Sequence, residues 1–154
     1  MPQIILGFSH HPNKLISRLA KWGMRGNYSH VMMLEPDGRR YIEASGTSKP
    51  PGVQIRDLAE FFASRPEWEF RTVEHPDPKA VWEAACKRVG RPYDWMFFIA
   101  LAFRSPWLQD ARKDVCNETI FESFVEGGYS PFPDGIEVTY LTPQHWYLIS
   151  EPLE

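Results

Sequence analysis

A cysteine and a histidine, brought together, can do covalent chemistry at neutral pH, and this chain holds few candidates for such a pair. Cys116 follows Asp114, a residue type that opens helices by accepting from their first free amides. That spacing puts Cys116 in the first turn of a helix, where unpaired amides and the positive end of the dipole favour an anion. A thiolate is such an anion, so Cys116 is a candidate nucleophile, with its own amide placed to donate to an oxyanion. A thiol nucleophile needs a base, and the base needs an acceptor that orients it. His30 opens an apolar run, Val31 to Leu34, and Glu43 lies near the end of the run that returns after Pro36-Asp37-Gly38. In an antiparallel hairpin those two ends lie side by side, so Glu43 can accept from one ring nitrogen of His30 and fix its tautomer.

Each of these residues alone also fits a structural role. A free cysteine is most often a small buried hydrophobe, and Cys86, mid-helix among Trp82, Ala85 and Val89, is read that way. His30 alone reads as a hydrogen-bonded strand-end histidine, and Glu43 as a solvated residue alternating with Ile42 and Ala44. His10 and His11 point to opposite sides of an extended chain and make a poor chelating pair. His75 and His145 have no partner at ligand spacing and read as surface or packing residues. No metal and no cofactor are expected.

The elements that must position these residues form an α+β pattern. Ile4 to Phe8 reads as a buried strand, Val31 to Leu34 and Arg40 to Ala44 as a hairpin, and Val53 to Ile55 as a short strand. Trp68 to Val73 alternates and reads as a strand with one wet face. Leu15, Ile16, Leu19 and Trp22 recur at helical spacing, and Leu58 to Phe62 reads as a helical turn or two. Asp77 before Pro78 starts a helix that places Val81, Ala85 and Val89 on one face and closes at Gly90. Asp94 caps a helix through Trp95 to Phe103, apolar all round and therefore expected to be deeply buried. Asp114 caps the next, with Ile120, Phe121, Phe124 and Val125 facing inward. His145 to Ile149 reads as a last strand or short helix.

The totals suit one domain over residues 1–154: 43% hydrophobic, 14% aromatic and a net charge of -3. Scattered Lys and Arg give no nucleic-acid footprint. No apolar run approaches the roughly 20 residues of a membrane span, and the N-terminus lacks a secretory pattern. Two cysteines make no disulfide framework. A cytoplasmic protein with no stable membrane insertion is expected; the oligomeric state is open.

Tyr28-Ser29-His30-Val31, Tyr41-Ile42-Glu43-Ala44 and Gly52-Val53, followed by Gly90-Arg91-Pro92-Tyr93-Asp94-Trp95 and Asp114-Val115-Cys116-Asn117-Glu118, resemble the motifs of circularly permuted NlpC/P60 proteins. The order, His before Glu before Cys, is that of the permuted branch. The resemblance implies a papain-like fold with an antiparallel sheet packed against helices. It implies a thiol hydrolase of the cysteine peptidase or amidase type, with Cys116 as nucleophile, His30 as base and Glu43 as orienter. Tyr93 would line the site, and Tyr28 would bind substrate. The resemblance implies a peptide or another amide-linked substrate, cell-wall peptides among them, cleaved through a thioester. Acyl transfer or (thio)ester hydrolysis on a lipid is the alternative chemistry, and a non-catalytic binding or structural module is the alternative without chemistry. Asn117 and Glu118 depart from the family's usual serine after the cysteine.

Overall fold

Short apolar runs separated by turns become strands here, and the sheet they form is the frame of the protein. The computed structural model describes residues 1–9, 26–64, 68–103, 105–108 and 110–153. In chain order these form β1 (Gln3–Ser9), β2 (His30–Leu34), β3 (Arg40–Ser45), β4 (Gly52–Asp57), α1 (Leu58–Ser64), β5 (Trp68–Glu74), α2 (Pro78–Cys86), α3 (Met96–Phe103), α4 (Cys116–Glu126), α5 (Pro143–Ile149) and β6 (Glu151–Pro152). The helix expected around Leu15 to Trp22, and the pair His10 and His11, lie outside the described residues.

The strands make one open sheet in the order β4-β3-β2-β1-β5-β6, every neighbouring pair antiparallel. Side chains alternate across it. Ile4, Leu6, Phe8, Val31, Met33, Ile42 and Ala44 face a core shared with α2, α4 and Trp146 of α5. Met32, Leu34 and Tyr41 face the other way, against Phe61 of α1. Both faces of the hairpin are therefore covered, and a residue that alternates away from the main core, such as Glu43, is still buried.

Helix starts follow local chemistry. Asp77 Oδ1 accepts from the Ala80 amide at 3.0 Å with Pro78 in the first turn, as expected. That helix ends at Cys86, short of Gly90, so Val89 leaves the helical period and is exposed. Val125, in the last turn of α4, is exposed too. Asp94 Oδ1 accepts from the Met96 amide and starts α3. The expected deep burial of α3 is corrected: Phe97 and Ala100 are inside, whereas Trp95, Met96, Ile99 and Phe103 face out. Uniform apolarity gives no preferred face, and only one side of this helix finds a partner among the described residues.

Gly52 joins the two halves of the molecule. A Cβ there would lie 2.3 Å from the Arg91 carbonyl oxygen, so only glycine lets the 90–92 segment close on β4. The Val53 amide then donates to Arg91 O at 3.0 Å, and the Gly90 amide to Val53 O at 3.0 Å.

Candidate functional site

The hairpin does what its pattern predicts. His30 Nε2 and Glu43 Oε2 lie 2.6 Å apart, with the glutamate side chain 1% and the histidine side chain 18% exposed. A carboxylate buried this fully is costly unless it is paired. Here it has the imidazole on one oxygen and Arg56 Nε at 3.8 Å from the other. Trp68 of β5 sets its ring edge-on to His30, centroids 5.6 Å apart. Burial alone would push the imidazolium pKa down, but contact with Cys116 and Glu43 outweighs it and holds the pKa up at about 10. Both partners therefore favour the imidazolium form of His30 at neutral pH.

Cys116 is the first residue of α4 and is 5% exposed. Its sulfur faces the His30 ring and lies 3.9 Å from Asn117 Oδ1, to which the thiol can donate. Asn117 Nδ2 is itself fixed on Leu141 O at 2.7 Å. The helix start differs from expectation in one respect. The residue flanking α4 is Val115, whose amide donates to Glu118 Oε2 at 3.2 Å. Asp114 is no cap. It is fully buried in an ion pair with Arg88, whose Nε and Nη2 donate to its two oxygens at 2.7 and 2.9 Å, and Thr119 Oγ1 donates at 3.2 Å. The reason is steric as well as electrostatic: the backbone of Asp114 pairs with the 92–94 segment, its amide donating to Pro92 O and its carbonyl accepting from the Asp94 amide, both at 3.0 Å. That clamp anchors the start of α4, and with it Cys116.

The same clamp places Tyr93 beside the centre. Burial first, then the charges of Cys116, Glu118 and Asp94, raise the Tyr93 pKa well above that of a free phenol. Gly46 leaves room for Tyr93 and Trp95, since a Cβ there would lie 2.6 Å from Trp95 Cη2 and 3.0 Å from Tyr93 Cε1. Tyr28 goes elsewhere. It stacks on Tyr147 at 4.4 Å, and both hydroxyls donate to Glu69, at 2.8 and 2.9 Å. His75 is a buried packing residue whose Nδ1 accepts from the Asp77 amide at 2.9 Å. His145 Nδ1 reaches back to Thr142 at the start of α5. Sequence reasoning missed Arg56, Trp68 and the Arg88–Asp114 pair. Alternation could have found Arg56, because Tyr41 pairs with Arg56 and Glu43 with Gln54 across β3 and β4.

No family model matches the chain, and no curated protein matches it. Among solved structures, one that is similar is the crystal structure of metalloprotein yiiX from Escherichia coli O157:H7, with a TM-score of 0.58 and 16% sequence identity. The likeness covers 80% of this chain and 64% of that one, so the chain spans under two thirds of its length. This shows a shared fold: an α+β arrangement with an open antiparallel sheet against helices. The papain-like, circularly permuted NlpC/P60 arrangement expected from the motifs is corrected accordingly, since the likeness found is to a protein described as a metalloprotein. With it go the readings that rested on that family: a cysteine peptidase or amidase, lipid acyl transfer or (thio)ester hydrolysis, and a module that merely keeps the papain-like fold.

A metal does not fit the described residues. Among them no group of three or more His, Cys, Asp and Glu side chains could hold one. One ring nitrogen of His30 is taken by Glu43, and Cys116 is the remaining partner. Two donors fall short of the three protein ligands of a catalytic zinc site and the four of a structural one. Also among the described residues, no helix is long and apolar enough to cross a membrane.

Proposed function

We propose that this protein carries a reactive thiol, with Cys116 attacking a soft electrophile, His30 holding the thiol proton and Glu43 orienting and charging the ring. The observation that supports it most is the 2.6 Å contact between His30 and the buried Glu43, with Cys116 on the same ring. An imidazolium beside sulfur favours the thiolate, which is the attacking form. In the attack a sulfur lone pair forms the bond to the electrophilic atom. The leaving group departs with its electron pair, and the thiol proton stays on His30. Asn117, held on the Leu141 carbonyl, sets its Oδ1 3.9 Å from the sulfur, and Tyr93 lies within electrostatic reach of it. This is reactive-thiol chemistry, distinct from peptidase or amidase activity. A thiol kept reduced for such a role goes with a reducing compartment such as the cytoplasm.

The test is limiting iodoacetamide at pH 7 with mass mapping of both cysteines, on the wild type and on His30→Ala. Cys86 is the internal control, because burial pushes its thiol pKa up. Cys116 is expected to label first, and at a rate reduced about tenfold or more by His30→Ala, which removes the group that takes the thiol proton. Circular dichroism checks that the variant is folded. Labelling of Cys86 first, a Cys116 rate indifferent to His30, or a stoichiometric metal that shields Cys116 until chelated would each overturn the reading.

A further inference from the structure

One stretch of surface is out of keeping with the rest. Trp95 just ahead of α3, Met96, Ile99 and Phe103 on its outer side, and Trp107 in the 3-10 turn Pro106–Leu108 packed against it, form a run of exposed large apolar side chains. Phe103 is 75% and Trp107 81% exposed. Scattered exposed apolar residues need no explanation, but a contiguous patch led by two tryptophans and a phenylalanine marks an interaction surface. Its charge setting narrows the occupant. Residues 95–113 carry Arg104, Arg112 and Lys113 against the single acid Asp110, in a chain whose net charge is -3. Arg112 and Lys113 follow the patch in sequence on the described surface and share the one acid, Asp110, at 3.1 and 4.0 Å, so this stretch keeps a net positive charge.

We propose that this face docks on an anionic lipid surface, with Trp95, Phe103 and Trp107 entering the headgroup region and Arg112 and Lys113 meeting the lipid charge. Tryptophan is the residue type that settles at membrane interfaces, and a short helix too brief to span can still lie in that plane. An eight-residue helix is about 12 Å long, which suits contact with one leaflet and not passage through it. Apolar burial and attraction to anionic headgroups then act together, the second being sensitive to salt. Trp95 also packs on Gly46 and edges against Tyr93, ring centroids 4.9 Å apart, so the docked face borders the Cys116 centre.

The experiment is co-sedimentation of the intact protein with mixed phosphatidylcholine–phosphatidylglycerol vesicles and with pure phosphatidylcholine vesicles, alongside sedimentation velocity without lipid. Binding is expected to the anionic vesicles, to weaken about tenfold or more on the zwitterionic ones, and to fall with added salt. The double variant Phe103→Ser, Trp107→Ser, altered only at exposed positions, is expected to keep its thermal melt and lose at least about tenfold in vesicle affinity. Absence of binding to anionic vesicles, or binding indifferent to the double variant, overturns the proposal. So does a concentration-dependent dimer, abolished by the double variant, in protein that ignores vesicles, because a second copy of the chain would then be the occupant. Cys116 labelling is independent of either outcome, so the two readings stand or fall separately.

Discussion

Glu43 Oε2 meets His30 Nε2 at 2.6 Å across the β2–β3 hairpin, and the glutamate side chain is almost wholly enclosed. An enclosed carboxylate that near must either share a proton or be answered by a cation. The imidazolium answers it, and the ring's pKa of about 10 follows from the pair of acids flanking it. Glu43→Gln keeps the shape and removes the charge. We expect it to lower the His30 pKa by roughly 1–3 units, the range that one close opposite charge commands. Histidine NMR titration checks this, and Cys116 labelling at pH 7 should slow in parallel.

The Arg88–Asp114 pair holds the start of α4. Removing Arg88 strips buried Asp114 of both its charged hydrogen bonds and leaves it only the more exposed Arg91, whose Nε lies 3.4 Å from Oδ1, so Arg88→Ala should cost about 3 kcal/mol in urea unfolding, the low end for a broken buried pair. Arg112 also pairs with an aspartate, Asp110, but on the surface. Arg112→Ala should leave the unfolding midpoint where it was.

Glu118 gives a prediction of opposite sign. Burial raises its pKa from 4.5 to about 7, outweighing the donated Val115 amide. A raised pKa means the folded protein prefers the protonated form. Its favourable contribution is present below pH 4.5 and is lost as pH rises through 7. Glu118→Gln keeps an acceptor for Val115 and never ionises. It should stabilise the protein by on the order of 1–3 kcal/mol above pH 7 and by little below pH 4.5, as read from unfolding at both pH values.

Two histidines, His30 and the buried His75, shape the stability profile from either side. His30, raised to about 10, contributes stability that is complete below pH 6.5 and lost as pH rises through 10. His75, lowered by burial, contributes stability that is present above 6.5 and lost as pH falls below it. Replacing His75 with Gln should therefore flatten the acid limb of thermal stability against pH and leave the alkaline limb in place. Thermal melts across the range check it.

What the sequence made legible was local. The hairpin came from an apolar run, a Pro-Asp-Gly turn and a returning run, and with it came the pairing of His30 and Glu43. The cap at Asp77 came from Asp-Pro. Where a residue's role depended on what packs against it, the pattern was silent. Asp114 has the chemistry of a cap, but Arg88, distant in sequence, claims it as an ion-pair partner, and the 92–94 segment claims its backbone. The α3 run is apolar at every position, so periodicity could not say which side would face water. Tyr28 is close to His30 in sequence, yet Glu69 and Tyr147 hold it in a separate network. The family likeness rested on the order of short motifs, and the fold comparison led to a protein of other description.

The state of the His30 ring tests the account most directly, because every role given to Cys116 depends on it. A pH titration of the intact protein, followed by nitrogen-15 NMR of the imidazole and assigned with His30→Gln, should show His30 doubly protonated through pH 8 and titrating near 10. A His30 that titrates near 6.5, as an isolated histidine does, or that is neutral at pH 7, would contradict it.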